Sequence, residues 1–252
     1  MCCDHMIVTT NLTKIFQDKK RGEIRAVDQV NIECKPGRVY GLLGLNGAGK
    51  TTLMRLLSTT LKPTSGTAEV AGYDVIRESE KVKEKIGFLS SDTGLYNRLT
   101  AEETVTYFGR LNNIEEKVLK RKVDDIFDTF DMNEFKDRRI DKLSTGMKQK
   151  VSIARTFIND PEVLILDEPT LGLDVVTSRS IIEFIKESKK LNKCILFSTH
   201  IMWEAEKLCD DIAIIHNGKI MEVGTLSQLQ AKTGLKELDD IFVKIIGNDS
   251  GQ

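Results

Sequence analysis

The fold of this 252-residue chain is decided by Gly44-Leu45-Asn46-Gly47-Ala48-Gly49-Lys50-Thr51-Thr52. The apolar run Val39 to Leu43 precedes this stretch, and Leu53 to Leu57, a run with helical character, follows it. The spacing Gly-x-x-x-x-Gly-Lys-Thr lets successive backbone N–H groups point at a polyanion in front of a helix N-terminus. A glycine-rich turn with a surface lysine is the alternative interpretation, but the flanking strand and helix patterns favour a phosphate-binding loop.

The side chains of this loop have distinct expected roles. We expect Lys50 to reach the β and γ phosphates of a nucleoside triphosphate, and Thr51 to offer its hydroxyl to Mg²⁺. The residues expected to bind the nucleotide are Gly44, Asn46, Gly47, Ala48, Gly49, Lys50, Thr51 and Thr52.

Composition narrows the possible classes of function. The 37 Lys and Arg residues nearly balance the 38 Asp and Glu residues, so the bulk charge gives no argument for nucleic-acid binding. The sequence has no run of about 18 apolar residues and no pattern of a secretory signal, which predicts a cytoplasmic protein. The five cysteines lack the spacing of a zinc or redox site, so we expect reduced thiols.

The order of apolar patterns predicts an α/β fold. Short β-branched runs indicate strands in the first third, whereas Thr100 to Phe135 has helical spacing and indicates a helical insertion. Strand and helix signals then alternate from Val163 to Phe197, which implies a parallel sheet with helices on its faces. Between two further apolar runs, Asn217-Gly218 predicts a β-hairpin.

Two carboxylates follow a strongly apolar segment. Val163 to Leu166 predicts a buried strand that ends in Asp167 and Glu168. In a parallel sheet, both acids would lie at the carboxyl edge, where ligands bind. Asp167 can hold Mg²⁺ through a coordinated water, and Glu168 can orient or deprotonate the attacking water. Alone, the pair would be an ordinary polar strand end, but together with the phosphate loop it predicts an NTPase site.

Three further segments resemble motifs of one family. Leu143-Ser144-Thr145-Gly146-Met147-Lys148-Gln149 resembles the signature motif of ATP-binding cassette (ABC) proteins. Pro169 to Asp174 resembles the dimer-contact loop of that family, and Phe197-Ser198-Thr199-His200 resembles the segment that carries its switch histidine. The matched segments extend from about Ile7 to Thr225, which is nearly the whole chain.

This resemblance implies an α/β P-loop NTPase fold. It implies a RecA-like parallel sheet core, an N-terminal antiparallel β subdomain and an inserted α-helical subdomain. We expect an ABC ATP-binding domain over residues 6–240, with the core and β subdomain at about 6–90 and 160–225 and the helical subdomain at about 92–158. Residues 226–252 are expected to form a C-terminal tail.

The resemblance also implies a nucleotide site shared between two subunits. In this family, the signature segment closes over the γ phosphate of a nucleotide that another subunit holds. The hydroxyl and backbone N–H groups before the helical run at Met147 form a second anion site of this kind. The residues expected to contact ATP from this segment are Ser144, Thr145 and Gly146.

The family pattern assigns roles to two further side chains. His200 is expected to donate to the γ phosphate and stabilise the transition state, which makes Lys50, Glu168 and His200 the expected catalytic set. Phe16 lies where the family stacks an aromatic ring on adenine. A core aromatic is the alternative interpretation of Phe16.

Two positions depart from the family pattern. Ser91 replaces the usual glutamine or glutamate in the segment Ile86 to Asp92, so the metal contact is expected to pass to a water or to Asp92. Thr145 and Met147 replace the commoner glycine and glutamine of the signature, a variant that resembles bacterial exporter subunits similar to sodium-efflux ATPases. The expected Mg²⁺ residues are therefore Thr51, Asp167, Ser91 and Asp92.

A single cassette without a membrane segment resembles the ATPase subunit of a transporter whose membrane subunits are separate chains. We expect ATP and Mg²⁺ as cofactors, and transmembrane permease subunits as partners at the cytoplasmic face of the membrane. The ATPase is expected to form a homodimer, or a heterodimer with another ATP-binding subunit, and no nucleic acid is expected. The alternative function is that of a soluble cassette acting on nucleic acid, the ribosome or an assembly scaffold.

Overall fold

The computed structural model describes residues 5–20, 22–90 and 94–247. Eleven strands in two β-sheets and nine α-helices are formed by these residues. Ser91 and Asp92, which we expected near the metal, lie outside the described residues. The predicted α/β P-loop fold, with its parallel core sheet and a separate antiparallel sheet, is confirmed.

The first sheet is antiparallel and is built around one long strand. The strands of this sheet are β1 (Ile7–Asp18), β2 (Gly22–Val30), β3 (Glu33–Cys34), β5 (Ser65–Val70) and β6 (Tyr73–Asp74). Their order is β2-β1-β5-β6, and β3 also pairs with β1. Phe16 lies opposite Ile24 in the pairing of β1 with β2.

The second sheet carries the predicted site. Its strands are β4 (Val39–Leu43), β7 (Ile86–Leu89), β8 (Val163–Asp167), β9 (Cys194–Thr199), β10 (Asp211–His216) and β11 (Lys219–Gly224). The order is β11-β10-β4-β9-β8-β7, and all neighbours are parallel except β10 and β11. All residues of β4, β8 and β9 are buried, as expected for a parallel sheet covered on both faces.

The predicted hairpin is confirmed. The strands β10 and β11 pair in antiparallel fashion, and the turn between them contains Asn217 with φ of 46° and Gly218 with φ of 79°. Two successive positive φ values are the signature of the turn that Asn-Gly favours.

The helices cover the second sheet and form the insertion. They are α1 (Lys50–Leu57), α2 (Ser79–Lys85), α3 (Ala101–Leu111), α4 (Glu116–Thr129), α5 (Thr145–Phe157), α6 (Val175–Lys190), α7 (Met202–Leu208), α8 (Leu226–Thr233) and α9 (Leu238–Gly247). The insertion between β7 and β8 holds α3, α4 and α5, and Thr100 begins α3 with a capping box that includes Glu103. Buried residues such as Phe127 on α4 and Phe197 on β9 belong to one apolar cluster, so the insertion packs directly on the sheet.

The segment after residue 225, which we assigned only as a tail, contains two packed helices. Leu229 on α8 and Ile241 and Phe242 on α9 are buried with Ile212 and Ile214 of β10. These helices therefore extend the apolar core at one end of the second sheet. Within the described ranges, no helix has both the length and the apolar character needed to cross a bilayer.

Candidate active site

The predicted phosphate loop connects β4 to the N-terminus of α1. Gly49 has φ of 109° and Gly47 has φ of 82°, conformations that favour glycine. Gly44 permits a close approach, because a Cβ there would lie 2.6 Å from the backbone oxygen of Ile215. Thr51 and Thr52 follow in the first turn of α1 and are half-buried. The loop therefore places backbone N–H groups in front of a helix N-terminus, the geometry that an anion requires.

Lys50 is buried at the centre of this loop. Only 4% of the residue is exposed, and its Nζ donates to the carbonyl oxygens of Gly44 at 2.7 Å and Leu45 at 3.2 Å. The same Nζ lies 3.0 Å from Glu168 Oε1. A buried ammonium requires a compensating charge, and the Glu168 carboxylate supplies it.

Asp167 and Glu168 lie at the carboxyl end of β8, as the sequence predicted. The Oδ1 atom of Asp167 accepts from Ser198 Oγ at 2.7 Å, whereas the buried Oδ2 atom has no hydrogen-bond partner within the described part of the chain. Because buried carboxylate oxygens are normally satisfied, this oxygen is poised to accept a cation or a bound water. Glu168 has φ of 46°, a strained conformation of the kind that is concentrated at functional sites.

Ser198 lies in the segment that resembles the histidine motif, and the motif itself predicts no separate role for this residue. Its hydroxyl donates to Asp167 and accepts from the backbone N–H of Glu168 at 2.9 Å. One buried hydroxyl on β9 thus orients both acidic residues on β8. The adjacency of the two strands could not be read from the motif.

His200 follows β9 and lies beside the same carboxylate. Its Nδ1 atom is 3.2 Å from Glu168 Oε2. The preceding Thr199 donates its hydroxyl to Glu204 Oε2 at 2.7 Å and accepts from Ile201 N at 2.9 Å, which holds the turn that presents the histidine. Glu204 is 2% exposed, and sequence analysis missed it because no motif includes it.

The signature segment lies at the start of α5. Ser144 caps this helix by accepting from Met147 N at 3.3 Å, and both Ser144 and Thr145 are exposed. In the described part of the chain, no hydrogen bond or ion pair joins residues 144–146 to Lys50 or Glu168. The structure therefore groups the loop, the acidic strand and His200, and leaves the signature hydroxyls facing solvent.

The helix α5, which follows the signature segment, is nevertheless hydrogen-bonded to the loop after β8. Gln149 Nε2 donates to the carbonyl oxygen of Pro169 at 2.6 Å. A Cβ at Gly146 would lie 2.9 Å from Thr177 Oγ1 at the start of α6, so a side chain here would have to displace the Thr177 hydroxyl.

Phe16 lies on β1, and its residue is 40% exposed. The alternative of a core aromatic is therefore wrong. The Lys14 ammonium lies 5.2 Å from the centroid of the ring, a cation–π distance. The ring is thus available for stacking.

Three features lie together in this site: a phosphate loop before a helix, an acidic strand end and a histidine after the adjacent strand. This combination defines a nucleotide-hydrolysing P-loop cassette. The chain belongs to the ABC transporter family, whose model matches residues 27–171. It is accordingly an ATP-binding and ATP-hydrolysing protein.

Individual relatives agree with this assignment. The chain is 41% identical over 239 residues to the ABC transporter ATP-binding protein NatA of Bacillus subtilis. This match covers 94% of this chain and 97% of that protein. It is 34% identical to the daunorubicin resistance ATP-binding protein DrrA3 of Streptomyces coeruleorubidus, over 92% of this chain and 74% of that protein.

Solved structures show the same fold. An ATP-binding subunit of an ABC transporter superposes with a TM-score of 0.87 at 28% identity, and the match covers 96% of this chain and 99% of that one. The dimeric structure of MJ0796, a bacterial ABC transporter cassette, has a TM-score of 0.80 at 25% identity, and the match covers 87% of this chain and 98% of that one.

Proposed function

We propose that the chain hydrolyses ATP at the interface of a cassette dimer and thereby drives export through separate membrane-spanning subunits. The observation that carries this proposal is the separation of two half-sites on one chain. Lys50, Glu168 and His200 form one cluster, whereas Ser144 and Thr145 are exposed at another place. A second subunit is needed to bring a signature segment over the nucleotide.

The surface beside the signature segment supports a dimer contact. Leu171, Val175 and Val176 are 52%, 68% and 75% exposed, and they flank the α6 start against which Gly146 packs. Exposed apolar side chains grouped at one place are typical of an interaction surface. The dimeric cassette that shares this fold supports the same arrangement.

The proposed reaction gives each of the clustered side chains, Lys50, Glu168 and His200, a separate role. Lys50 and the loop N–H groups bind the phosphates, and His200 donates to the γ phosphate as negative charge develops there. Glu168 orients the attacking water and accepts its proton. Glu168 is paired with Lys50. Phosphate oxygens that bind the lysine ammonium would replace the Glu168 carboxylate, which could then act on water.

The residues present also fit Mg²⁺. The unpartnered Oδ2 of Asp167 and the hydroxyl of Thr51 are oxygen donors, and Mg²⁺ in phosphate sites takes one or two such ligands and keeps several waters. When bound, the ion would neutralise charge on the β and γ phosphates. Asp167 would hold it directly or through a water.

A groove between β7 and the helical insertion supports docking of a membrane subunit. Its cavity of about 330 Å³ is lined by residues that include Ile86, Phe88, Phe108, Asn112 and Thr156. The lining is mixed, since it also contains Lys83 and Arg155, and the exposed apolar residues Tyr107 and Leu111 lie on the same helix as Phe108. We expect this groove to receive a helix of the permease, the helix-in-groove mode of recognition.

The experiment that tests this function uses the intact chain. Expressed with a candidate permease, it should co-purify from membranes, and its ATPase activity should rise with the permease in vesicles. Glu168→Gln should form an ATP-dependent dimer by light scattering, and Lys50→Ala should remain monomeric. ATPase activity stimulated by nucleic acid, without membrane association, would instead favour the soluble alternative.

A further inference from the structure

The tip of the β10–β11 hairpin packs behind the phosphate loop. Gly218 N donates to the carbonyl oxygen of Ala48 at 2.9 Å, and Gly218 O accepts from Asp28 N at 2.8 Å. The tip therefore connects a residue of the phosphate loop to a residue of β2 through two backbone hydrogen bonds.

This contact has no room for a side chain. A Cβ at Gly218 would lie 2.9 Å from the carbonyl oxygen of Arg25 and 3.0 Å from that of Ala26. A Cβ at Gly49 in the loop would lie 2.3 Å from the same Ala26 oxygen and 3.3 Å from Gly218 Cα. Three backbone segments that are distant in sequence thus pack directly on one another.

The strand that contacts the hairpin tip also supports the proposed adenine platform. Ile24 on β2 pairs with Phe16 on β1, and the contact with Gly218 begins at the next residue, Arg25. One path from the Phe16 ring to the phosphate loop therefore runs through a short piece of β2 and the hairpin tip, beside the direct contact of Gly49 with Ala26.

We infer that Gly218 is a positioning residue for ATP, which sets the place of the phosphate loop relative to the sheet that carries Phe16. This inference rests on the ATP site proposed above. Gly218 acts through Ala48 and Ala26 and does not itself reach the nucleotide. A side chain at this position pushes β2 away from the tip, so that one ATP molecule no longer meets both the stacking ring and the loop in their best positions.

The matched control is a glycine with a similar conformation and open space where a Cβ would lie. Gly234, at the C-terminus of α8, has φ of 73°, against 79° for Gly218, and among the described residues a Cβ there would meet no atom within 4 Å. Alanine at either position incurs a similar backbone strain. Only Gly218→Ala adds a clash with β2.

Steady-state ATPase kinetics and competition binding separate positioning from simple destabilisation. We expect Gly218→Ala to raise KM for ATP about tenfold and to leave kcat within about twofold of the parent value. This pattern is typical of a change that weakens binding of the ground state and the transition state equally. ATP should lose more affinity than inorganic tripolyphosphate, because only ATP needs the base platform as well as the loop. Gly234→Ala should change neither quantity.

Equal effects of the two alanine variants on KM, or equal losses for ATP and tripolyphosphate, would overturn the inference. If Gly218→Ala does not fold, Gly218→Asn tolerates the positive φ better and still places a Cβ against β2, so it should raise KM in the same direction, and an unchanged KM would then reject the role. Lys50→Ala gives the separate check, since undiminished ATP binding there would reject the proposed site itself.

Discussion

Lys50 Nζ lies 3.0 Å from Glu168 Oε1, so the lysine of the phosphate loop and the acid of the β8 strand end are direct partners. The other oxygen of Glu168 is 3.2 Å from His200 Nδ1. One carboxylate therefore lies between two side chains, Lys50 and His200, for both of which we propose phosphate contacts. In the proposed ATP site, a phosphate that approaches Lys50 would compete with Glu168 for the same ammonium, so nucleotide binding would release the carboxylate.

Replacing Glu168 by glutamine should separate binding from hydrolysis. Glu168→Gln keeps the shape of the side chain but removes the base, so we expect turnover to fall by about 10² to 10⁴ while ATP still binds. Rapid-quench measurements of phosphate release, with labelled ATP binding on the same preparation, provide the check. Turnover within a fewfold of the parent chain would show that another group activates water.

Replacing Lys50 by alanine should abolish productive ATP binding. The change removes the charge expected on the β and γ phosphates and leaves Glu168 without its partner. Lys117→Ala, at an exposed position of α4, has the same loss of charge far from the loop and should leave affinity unchanged. Equilibrium dialysis with labelled ATP compares the two, and equal affinities would contradict the assignment of the phosphate loop.

The stacking role of Phe16 can be tested with a ligand that has no base. We expect Phe16→Ala to weaken ATP binding by about 1 to 3 kcal/mol, the range for loss of stacking between a base and an aromatic side chain, and to leave tripolyphosphate binding unchanged. Phe16→Trp should retain the affinity for ATP. Competition titrations measure all three proteins, and a parallel loss of tripolyphosphate binding would indicate a structural role instead.

The parts of the site that sequence could predict depend on local patterns. The phosphate loop, the acidic end of β8 and the Asn217-Gly218 turn are each encoded by residues that are neighbours in the chain. Turn type and strand burial follow from such neighbours, because they depend on backbone conformation and apolar run length.

The missed features depend on contacts between distant segments. The bridge from Ser198 to Asp167 spans 31 residues, and the contact of Gly218 with Ala48 is longer still. The helix α9 is a different case: Leu238, Ile241 and Phe242 lie at helical spacing and are buried. Periodicity could have identified this helix, but the motif-based division of the chain left it in a tail.

Burial of the Cys34 thiol predicts that this residue resists alkylation in the folded chain. Burial, followed by a hydrogen bond with Cys194, raises the pKa of the Cys34 thiol well above its ordinary value of 9.0. The thiol is therefore protonated in the folded chain at pH 8, and Cys34 should react with iodoacetamide only after unfolding in urea. Peptide mass spectrometry resolves this residue from the others. Because the folded pKa is raised, the associated stability is present below pH 9.0 and decreases at higher pH.

Ser198 should orient the two acidic residues through its hydroxyl. Ser198→Ala leaves Asp167 Oδ1 and the backbone N–H of Glu168 without their partner in a buried place, which should cost about 1 to 3 kcal/mol of unfolding free energy. Turnover should fall as well, because the Asp167 carboxylate and the backbone at Glu168 both lose a hydrogen bond that fixes their position. The control is Ser180→Ala on α6, whose hydroxyl donates to a backbone oxygen of its own helix, the carbonyl of Val176. Urea unfolding and ATPase assays of the two variants test the prediction. If Ser198→Ala were as stable and as active as Ser180→Ala, the strand ends would position Asp167 and Glu168 without the bridge.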